Sequence, residues 1–291
     1  MSEDYAVSAL AAGDSVRIIA ARTTQLVREA QARHNCSPTV TAALGRLLTG
    51  AALMGHALSG NERITLQISG DGPVRGLVAD VAAGGRVRGF PLRPTAERPL
   101  NAGGKFDVGG IVGRGSLHVT RTFDTGQPYT SAVPLATGEI GEDLANFFAS
   151  SEQIPTVVAV GVLANPAGVL AAGGVIAQLL PGADTSTIDV LERGARSMPH
   201  VSALVRDGLS PEDLVRKLAD GLDARIAGTH PIGFACRCSA ERVAKAIIGF
   251  GHDALLEMAS SSEDTEARCD FCGQRYYFSP DAIREILESA S

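Results

Sequence analysis

The sequence predicts an α+β fold in which a mixed α/β N-terminal core is followed by a helical linker and a small cysteine-bearing module. Through residues 1–183, short apolar strands and Ala- and Leu-rich helices are mixed without the regular strand–helix alternation of a doubly wound sheet. Narrow amphipathic helices then occupy residues 184–231, and four of the five cysteines fall within residues 232–291. These changes in sequence character place the two predicted boundaries, after residues 183 and 231.

The core begins with one predicted strand and two predicted helices. Residues 15–22 (SVRIIAAR) have the apolar character of a strand, and a helix over 24–34 follows. A longer Ala/Leu-rich helix over 38–58 carries proline in its first turn, where the missing amide proton costs nothing. The alternation of RITLQIS over 63–69 is that of a half-buried strand. Further strands are predicted over 74–79, 87–90, 116–123 and 129–133, and a helix is predicted over 140–150.

The stretch 154–183 contains no charged residue, which raises the question of a membrane span. Asn165, Pro166 and Gly168 interrupt it, and such residues mark a turn. We therefore expect two buried strands joined by that turn, over 157–162 and 169–180. The first residues, MSEDYAV, have neither the basic nor the apolar region of a secretory signal, so we expect a soluble, cytoplasmic protein.

The linker is predicted to contain three short helices, over 188–198, 201–207 and 211–222. The third begins with Ser210 as its cap and Pro211 at its first helical position. The apolar face of this segment is narrow and is carried by Leu204, Leu209, Leu214 and Leu218. Because helices this short are marginal alone, the segment is predicted to dock on the core.

Four cysteines in two clusters predict a metal site in the C-terminal module. Cys236 and Cys238 form a C-x-C pair, and Cys269 and Cys272 form a C-x-x-C pair 30 residues further along the chain. Two thiolate pairs from separate segments make a tetrahedral zinc site, and Gly273 permits the tight turn of a zinc knuckle. A strand over 275–278 and a helix over 280–287 complete a module with little core of its own. We therefore expect one zinc ion per chain, which supplies much of the folding energy.

The C-x-C spacing favours a reactive site over a purely structural one. It is one residue shorter than the usual spacing of structural zinc sites, so these sulfurs approach one metal in a less relaxed geometry. Basic residues close to the ligands in sequence would keep the sulfurs deprotonated and nucleophilic: Arg237, Arg242, Lys245, Arg268 and Arg275. The fifth cysteine, Cys36, has only His34 nearby in sequence, and we expect an inert thiol.

Charge and missing motifs argue against several classes of function. The formal net charge is −6, and residues 251–291 carry nine acidic against three basic side chains, which disfavours a nucleic-acid partner. The chain lacks the dinucleotide fingerprint, the phosphate-binding loop, the H-E-x-x-H zinc-protease motif and the G-x-S-x-G nucleophile elbow. Its six histidines are scattered without metal-binding spacing. The sequence therefore predicts no catalytic residues and no enzyme.

The cysteine pattern resembles that of the redox-regulated 33 kDa chaperonin family, heat-shock holdases of the bacterial cytoplasm. Cys236-x-Cys238 with Cys269-x-x-Cys272 is the pattern with which that family binds zinc. Three further motifs are also similar in order and distance: Gln67-Ile-Ser-Gly-Asp-Gly-Pro73, Ser151-Glu-Gln-Ile-Pro155, and Ala171-Ala-Gly-Gly174 with Gln178. The resemblance covers nearly the whole chain, although the linker matches mainly in length and character.

This resemblance implies a stress-response chaperone controlled by oxidation. The reduced, zinc-bound form is then an inactive monomer. Oxidants with mild unfolding convert the thiolates into two disulfides and release the zinc, the linker loses its order, and the active form dimerises and binds unfolding clients without ATP. We expect the bonds Cys236–Cys238 and Cys269–Cys272, because bonds between the clusters would close loops of about 30 residues at a larger entropic cost.

The sequence leaves two other function classes as alternatives. One is a zinc-ribbon adaptor for nucleic acid or protein, without redox control. The other is a thiol–disulfide oxidoreductase that uses Cys269 and Cys272. The latter requires the pair to open a helix beside a strand in a thioredoxin-like unit, and the sequence around it predicts no such unit.

Overall fold

The computed structural model describes residues 3–165, 167–184 and 186–289, and these form two compact units that meet at the Ala235–Cys236 bond. The first unit therefore contains both the predicted core and the predicted linker. Helices and predominantly antiparallel strands build both units, which confirms the α+β class. The division of residues 1–235 into a stable core and a metastable linker is a functional prediction and remains one.

The first sheet has five strands: β1 (Tyr5–Ala11), β2 (Val16–Arg22), β8 (Thr156–Asn165), β9 (Gly168–Leu179) and β10 (Arg225–Pro231). Their order is β10-β1-β2-β9-β8, and all neighbours are antiparallel. The predicted pair of strands over 157–180 is thus confirmed as the hairpin of β8 and β9. Among the residues that the structure describes, no helix has both the length and the apolar character needed to cross a bilayer.

The second sheet has six strands: β3 (Arg63–Gly70), β4 (Gly76–Ala82), β5 (Arg86–Pro91), β6 (Gly115–Thr122), β7 (Tyr129–Pro134) and β11 (Gly233–Phe234). Their order is β11-β5-β4-β3-β6-β7, and only the short β11 runs parallel to its neighbour. The turn after β3 explains the motif that ends in Gly-Asp-Gly-Pro. A Cβ atom on Gly72 would lie 2.5 Å from the Ile111 carbonyl oxygen, so this close backbone approach requires glycine.

Two helices, α1 (Thr24–His34) and α2 (Pro38–Met54), pack against strands of both sheets. The Ser37 hydroxyl accepts the Val40 amide proton at the start of α2, and Pro38 occupies the first turn as predicted. Nearly every side chain of α2 is buried, because one side meets the first sheet and the other meets the second. The helix ends at Met54, and Gly55–Ala57 form a 3₁₀ turn. The predicted helix over 38–58 is thus four residues too long.

The connection between the sheets is held by one buried carboxylate. Helix α3 (Val108–Val112) precedes β6. The connection runs from β7 into α4 (Gly141–Phe147), which a π-helical turn extends to Glu152. Asp143 accepts four backbone amide protons from the preceding loop, those of Ala136, Thr137, Gly138 and Ile140, at 2.7–3.2 Å. These bonds hold Ile140 in a left-handed conformation, at φ 62°, that its branched side chain disfavours.

Three helices of the predicted linker cover the other face of the first sheet: α5 (Ser186–Ser197), α6 (Val201–Arg206) and α7 (Pro211–Leu218). Helix α7 has the predicted cap, in which Ser210 and Asp213 exchange hydrogen bonds. Glycines in strands β8 and β9 allow α6 to approach the sheet closely. A Cβ atom on Gly173 of β9 would lie 2.9 Å from Val205. The predicted docking of this segment on the core is thereby confirmed.

The second unit is small. It consists of α8 (Ala240–Ile248), α9 (His252–Ser260), β12 (Thr265–Arg268), β13 (Arg275–Phe278) and α10 (Pro280–Ser289). Strands β12 and β13 form an antiparallel pair. Five buried side chains form its apolar cluster: Ile247, Leu255, Ala259, Phe278 and Ile283. Such a cluster is much smaller than a domain of this length normally needs to fold by itself.

A buried carboxylate of the N-terminal segment, that of Asp4, caps α1 and should make the folding stability depend on pH. Asp4 Oδ2 accepts the Leu26 amide proton at 2.8 Å, and burial raises the Asp4 pKa to about 6. Between about pH 4 and 6 the folded chain therefore retains a proton that the unfolded chain has lost, so stability falls as pH rises through this window. Relative to Asp4→Asn, the wild type should lose about 2–3 kcal/mol between pH 4 and 7 in urea unfolding.

The matched control is Asp220→Asn, which changes an exposed carboxylate in the same unit and should leave the wild-type slope intact. Parallel pH profiles for the wild type and Asp4→Asn would contradict the assignment.

Candidate metal centre

The fold brings together all four cysteines that the sequence singled out. Cys236 and Cys238 immediately precede α8, whereas Cys269 and Cys272 lie in the turn between β12 and β13. The four Sγ atoms lie within 4.8 Å of one another. Cys236 Sγ is 3.7 Å from Cys269 Sγ, and Cys238 Sγ is 3.4 Å from Cys272 Sγ. The two clusters therefore form one site.

These distances fit a single tetrahedral metal ion. With four sulfurs about 2.3 Å from a common centre, neighbouring sulfurs lie about 3.8 Å apart, close to the observed separations. Four soft thiolate donors without a carboxylate or water position are typical of a closed zinc site. The residues present thus fit zinc both in their spacing and in their donor chemistry.

The turn between β12 and β13 has the geometry of a zinc knuckle. Gly273 adopts φ 73°, and its amide donates to the Cys269 carbonyl oxygen at 2.8 Å. The backbone amides of Phe271 and Cys272 donate to the Cys269 sulfur, and that of Gln274 donates to the Cys272 sulfur. Glycine at this position is therefore required by the turn that directs the amides toward the sulfurs.

The thiols of this turn favour their protonated form when no cation is close. Burial raises the pKa of both Cys269 and Cys272, and neighbouring thiols raise it further, while the backbone amides oppose the shift. A metal cation reverses this preference because it stabilises thiolates directly. Metal binding and thiolate formation are therefore coupled at this site.

Sequence reasoning missed one residue of the site, Tyr276. Its hydroxyl donates a hydrogen bond to Cys238 Sγ at 3.1 Å, and this bond is the main cause that raises the Tyr276 pKa to about 12. Tyr276 and the buried Phe278 lie on one face of β13, while Tyr277 lies on the other and is 59% exposed. The two-residue period of the strand carried a signal for this orientation, but only the pairing with β12 brings Tyr276 to the sulfur.

The basic residues near the ligands in sequence mostly have partners other than sulfur. Arg242 donates to the Arg237 carbonyl oxygen at 2.9 Å. Lys245 pairs with Glu241, and Arg275 pairs with Glu266. The Arg242 contact and the Ser239 cap of α8 hold the C-x-C segment at the start of that helix. Backbone amides and the Tyr276 hydroxyl donate hydrogen bonds to three of the sulfurs.

Cys36 lies outside the four-sulfur cluster and is buried in the first unit. Desolvation raises the pKa of its thiol to about 12, which keeps it protonated and unreactive at neutral pH. The oxidoreductase alternative also lacks its required geometry, because Cys269 and Cys272 lie in a turn between two strands and do not open a helix.

Comparisons with known proteins agree with the fold and with the cysteine site. A family model described as Hsp33 protein matches residues 4–279. A protein named 33 kDa chaperonin from Desulforamulus reducens is 40% identical over 287 residues, with 98% of each chain covered. Another protein of that name, from Geobacillus kaustophilus, is 43% identical over 289 residues, with 99% of this chain and 98% of the relative covered.

A solved structure extends the agreement to three dimensions. The crystal structure of the 33 kDa chaperonin from Thermotoga maritima superposes with a TM-score of 0.91 at 34% identity, covering 99% of both chains. The family match spans both units and includes the four cysteines that converge in the second. The chain belongs to the Hsp33 family, the redox-regulated 33 kDa chaperonins.

Proposed function

We propose that this chain is an ATP-independent holdase of the bacterial cytoplasm that oxidation of a zinc-bound four-cysteine centre activates. One observation carries the proposal: four free thiols converge within 4.8 Å in a unit whose apolar cluster has only five buried side chains among the described residues. In such a unit, the state of the thiols decides whether the fold persists. Family membership supplies the chaperone activity, and unfolded proteins are the clients.

Cys236, Cys238, Cys269 and Cys272 are the proposed ligands of one zinc ion in the reduced chain. Zinc, when bound, holds the four sulfurs as thiolates and supplies folding energy that the small apolar cluster lacks. The knuckle amides and the Tyr276 hydroxyl then stabilise the negative charge on three of the sulfurs. No residue of the site is assigned a catalytic role.

Oxidation converts each pair of thiolate ligands into a disulfide in two steps. Peroxide transfers an oxygen atom to one thiolate, which becomes a sulfenic acid with release of hydroxide. The neighbouring thiolate then attacks the sulfenic sulfur and displaces a second hydroxide, which leaves a disulfide. Two such events convert four thiolates into two disulfides, and neither disulfide can serve as a thiolate ligand.

The segment 184–231 is the proposed moving part. Leu204, Leu214 and Leu218 are buried against the first sheet, and Leu209 is partly buried there. The three helices of this segment are only six to twelve residues long, so their stability depends on what they pack against. Loss of order in this segment would expose these leucines and the sheet face beneath them, which is apolar area suited to unfolded clients.

We propose that the active form is a dimer.

The central experiment measures light scattering from an aggregating client protein. Chain pretreated with peroxide should suppress the scattering, and reduced, zinc-loaded chain should suppress it far less. Equal activity in the two states would refute redox control, and inactivity in both would refute the holdase assignment. The comparisons give no support to a zinc-ribbon adaptor.

The first prediction concerns the ligands. Cys238→Ser should lose most of the bound zinc because three thiolates remain, whereas Cys36→Ser should keep about one zinc per chain because Cys36 lies outside the cluster. Metal analysis of the reduced proteins measures both. Full zinc content in Cys238→Ser would overturn the ligand set.

The second prediction concerns disulfide pairing. Sulfur contacts of 3.4 and 3.7 Å join the two clusters, but loss of the metal frees the segments, and bonds within a cluster close much shorter loops. Peptide mapping of oxidised chain should therefore find mainly Cys236–Cys238 and Cys269–Cys272. A map dominated by Cys238–Cys269 would contradict this reasoning.

The third prediction concerns the moving segment. Trypsin should cut oxidised chain at the exposed Arg206, Arg216, Lys217 or Arg225 much faster than reduced chain, because cleavage requires local unfolding around these residues. Residues 1–183 should resist cleavage in both states. If the segment were equally protected in both states while holdase activity was still gained, some other part of the chain would be the moving part.

A further inference from the structure

Strand β8 forms one end of the first sheet and has β9 as its strand neighbour among the described residues. It is ten residues long, TVVAVGVLAN, and contains neither a charged residue nor a proline. Proteins usually protect such edges with charges, prolines or very short strands, because an unprotected edge accepts a further strand. The edge of β8 therefore has neither a charge nor a proline to protect it, and the strand is not short.

The backbone groups of β8 that face away from β9 can be identified from its neighbours. The amide and carbonyl of Ala172 bond toward α1 and β2, to Thr24 and Thr23, so they point away from β8. Val162 pairs with Ala172 in the register, and its amide and carbonyl therefore point outward from β9. The same parity applies to Val160. In the described part of the chain, no hydrogen bond is assigned to these outward groups.

A cavity of about 710 Å³ runs along this edge. Residues 159–165 of β8 form its floor, and the loop that contains Leu100 and Phe106 lies on one side. Residues of α5, of α6 and of the loop between them, among them Ala195, Met198 and Val201, form the wall on the face of the sheet that these helices cover. Its volume and its apolar lining are those of a pocket that encloses several side chains.

The charge of the cavity wall has one sign. Arg46, Lys105 and Arg206 line it together with His200, and no acidic residue is among the lining residues that the structure describes. Arg46 and Arg206 pair with carboxylates beside the cavity, Glu139 and Asp207. Lys105 Nζ instead lies 2.9 Å from His200 Nε2, and no ion pair with a carboxylate is assigned to it. Because Arg46 and Arg206 already have carboxylate partners, Lys105 is the lining cation that can attract an acidic occupant.

We propose that an extended segment of an unfolded client protein, with apolar and acidic residues, adds to the edge of β8 as a sixth strand of the first sheet. The proposal rests on the holdase function proposed above and names the binding surface. Main-chain hydrogen bonds from Val160 and Val162 would supply affinity that does not depend on client sequence. The apolar floor and the cationic wall would then favour segments that carry valine-like and acidic side chains.

A second copy of this chain fits the edge less well. If two β8 strands paired around a twofold axis, the cationic walls of both copies would approach each other, and like charges would meet across the new pair. An acidic client segment meets the opposite charge. Because α5 and α6 line one side, loss of order in the linker would open the cavity. Arg46 and Lys105 lie outside the linker and would stay beside β8, so the oxidised chain should bind an acidic segment more tightly.

The test uses full-length chain, oxidised and reduced, and a fluorescent nonapeptide in which valine and glutamate alternate. Oxidised chain should bind it at least tenfold more tightly than it binds the same peptide with lysine for glutamate. N-methylation of alternate backbone amides, on the edge that faces β8, should weaken binding at least tenfold. Equal affinity for the N-methylated peptide would overturn strand addition, and equal affinity for the lysine peptide would overturn the charge argument.

Amide hydrogen exchange locates the bound peptide. Saturating peptide should slow exchange at Val160 and Val162, whose amides point outward, and should change Ala159 and Gly161 much less, because these already face β9. Unchanged exchange at Val162 with peptide bound would place the site elsewhere and overturn the proposal.

A charge variant with a matched control links this edge to activity. Lys105→Glu should weaken binding of the glutamate peptide several-fold and reduce suppression of client aggregation. Arg114→Glu reverses a charge that is 98% exposed outside the cavity and should leave both unchanged. Holdase activity without protection of Val162 would refute this site alone, whereas an oxidised wild type that suppresses no aggregation would refute the proposed function itself.

Discussion

The arrangement of the first unit depends on the burial of α2 on two opposite sides. One side of the helix meets β8 and β9 of the first sheet, and the other meets β4 and β5 of the second. Close packing on both sides requires small residues. A Cβ atom on Gly45 would lie 2.6 Å from a Val27 methyl group, and one on Gly50 would lie 2.5 Å from a Leu144 methyl group. The helix consequently relies on packing rather than on an amphipathic pattern to fix its position.

Apolar burial is distributed very unevenly between the two units. The first has extensive clusters on both faces of its five-stranded sheet, whereas the second has the small cluster around Ile247 and Phe278. Under the proposed function, metal ligation gives this unit the stability that its small apolar cluster lacks. Because thiolate ligands can be oxidised, the folding of this unit would then depend on redox conditions.

The first sheet has two faces with different consequences. The face toward α2 is permanently covered by a long helix whose burial holds the unit together. The opposite face is covered by three short helices that reach it closely only through glycines such as Gly161 and Gly173. Short helices depend on their packing partners for stability, which is why the proposed function places the loss of cover on this face. The open edge of β8 lies between these two layers.

The sequence by itself determined the α+β class, α1, the start of α2, the β8–β9 hairpin and the four clustered cysteines, because these depend on local periodicity, capping residues and ligand spacing. It did not predict β1 or β10, since alanine-rich YAVSALA has weak strand propensity and becomes a strand by pairing with β2 and β10, far away in sequence. Likewise, the role of Tyr276 is decided by the register of β12 and β13, which directs its hydroxyl to Cys238. Long-range pairing is a property of the folded chain, and no local pattern encodes it.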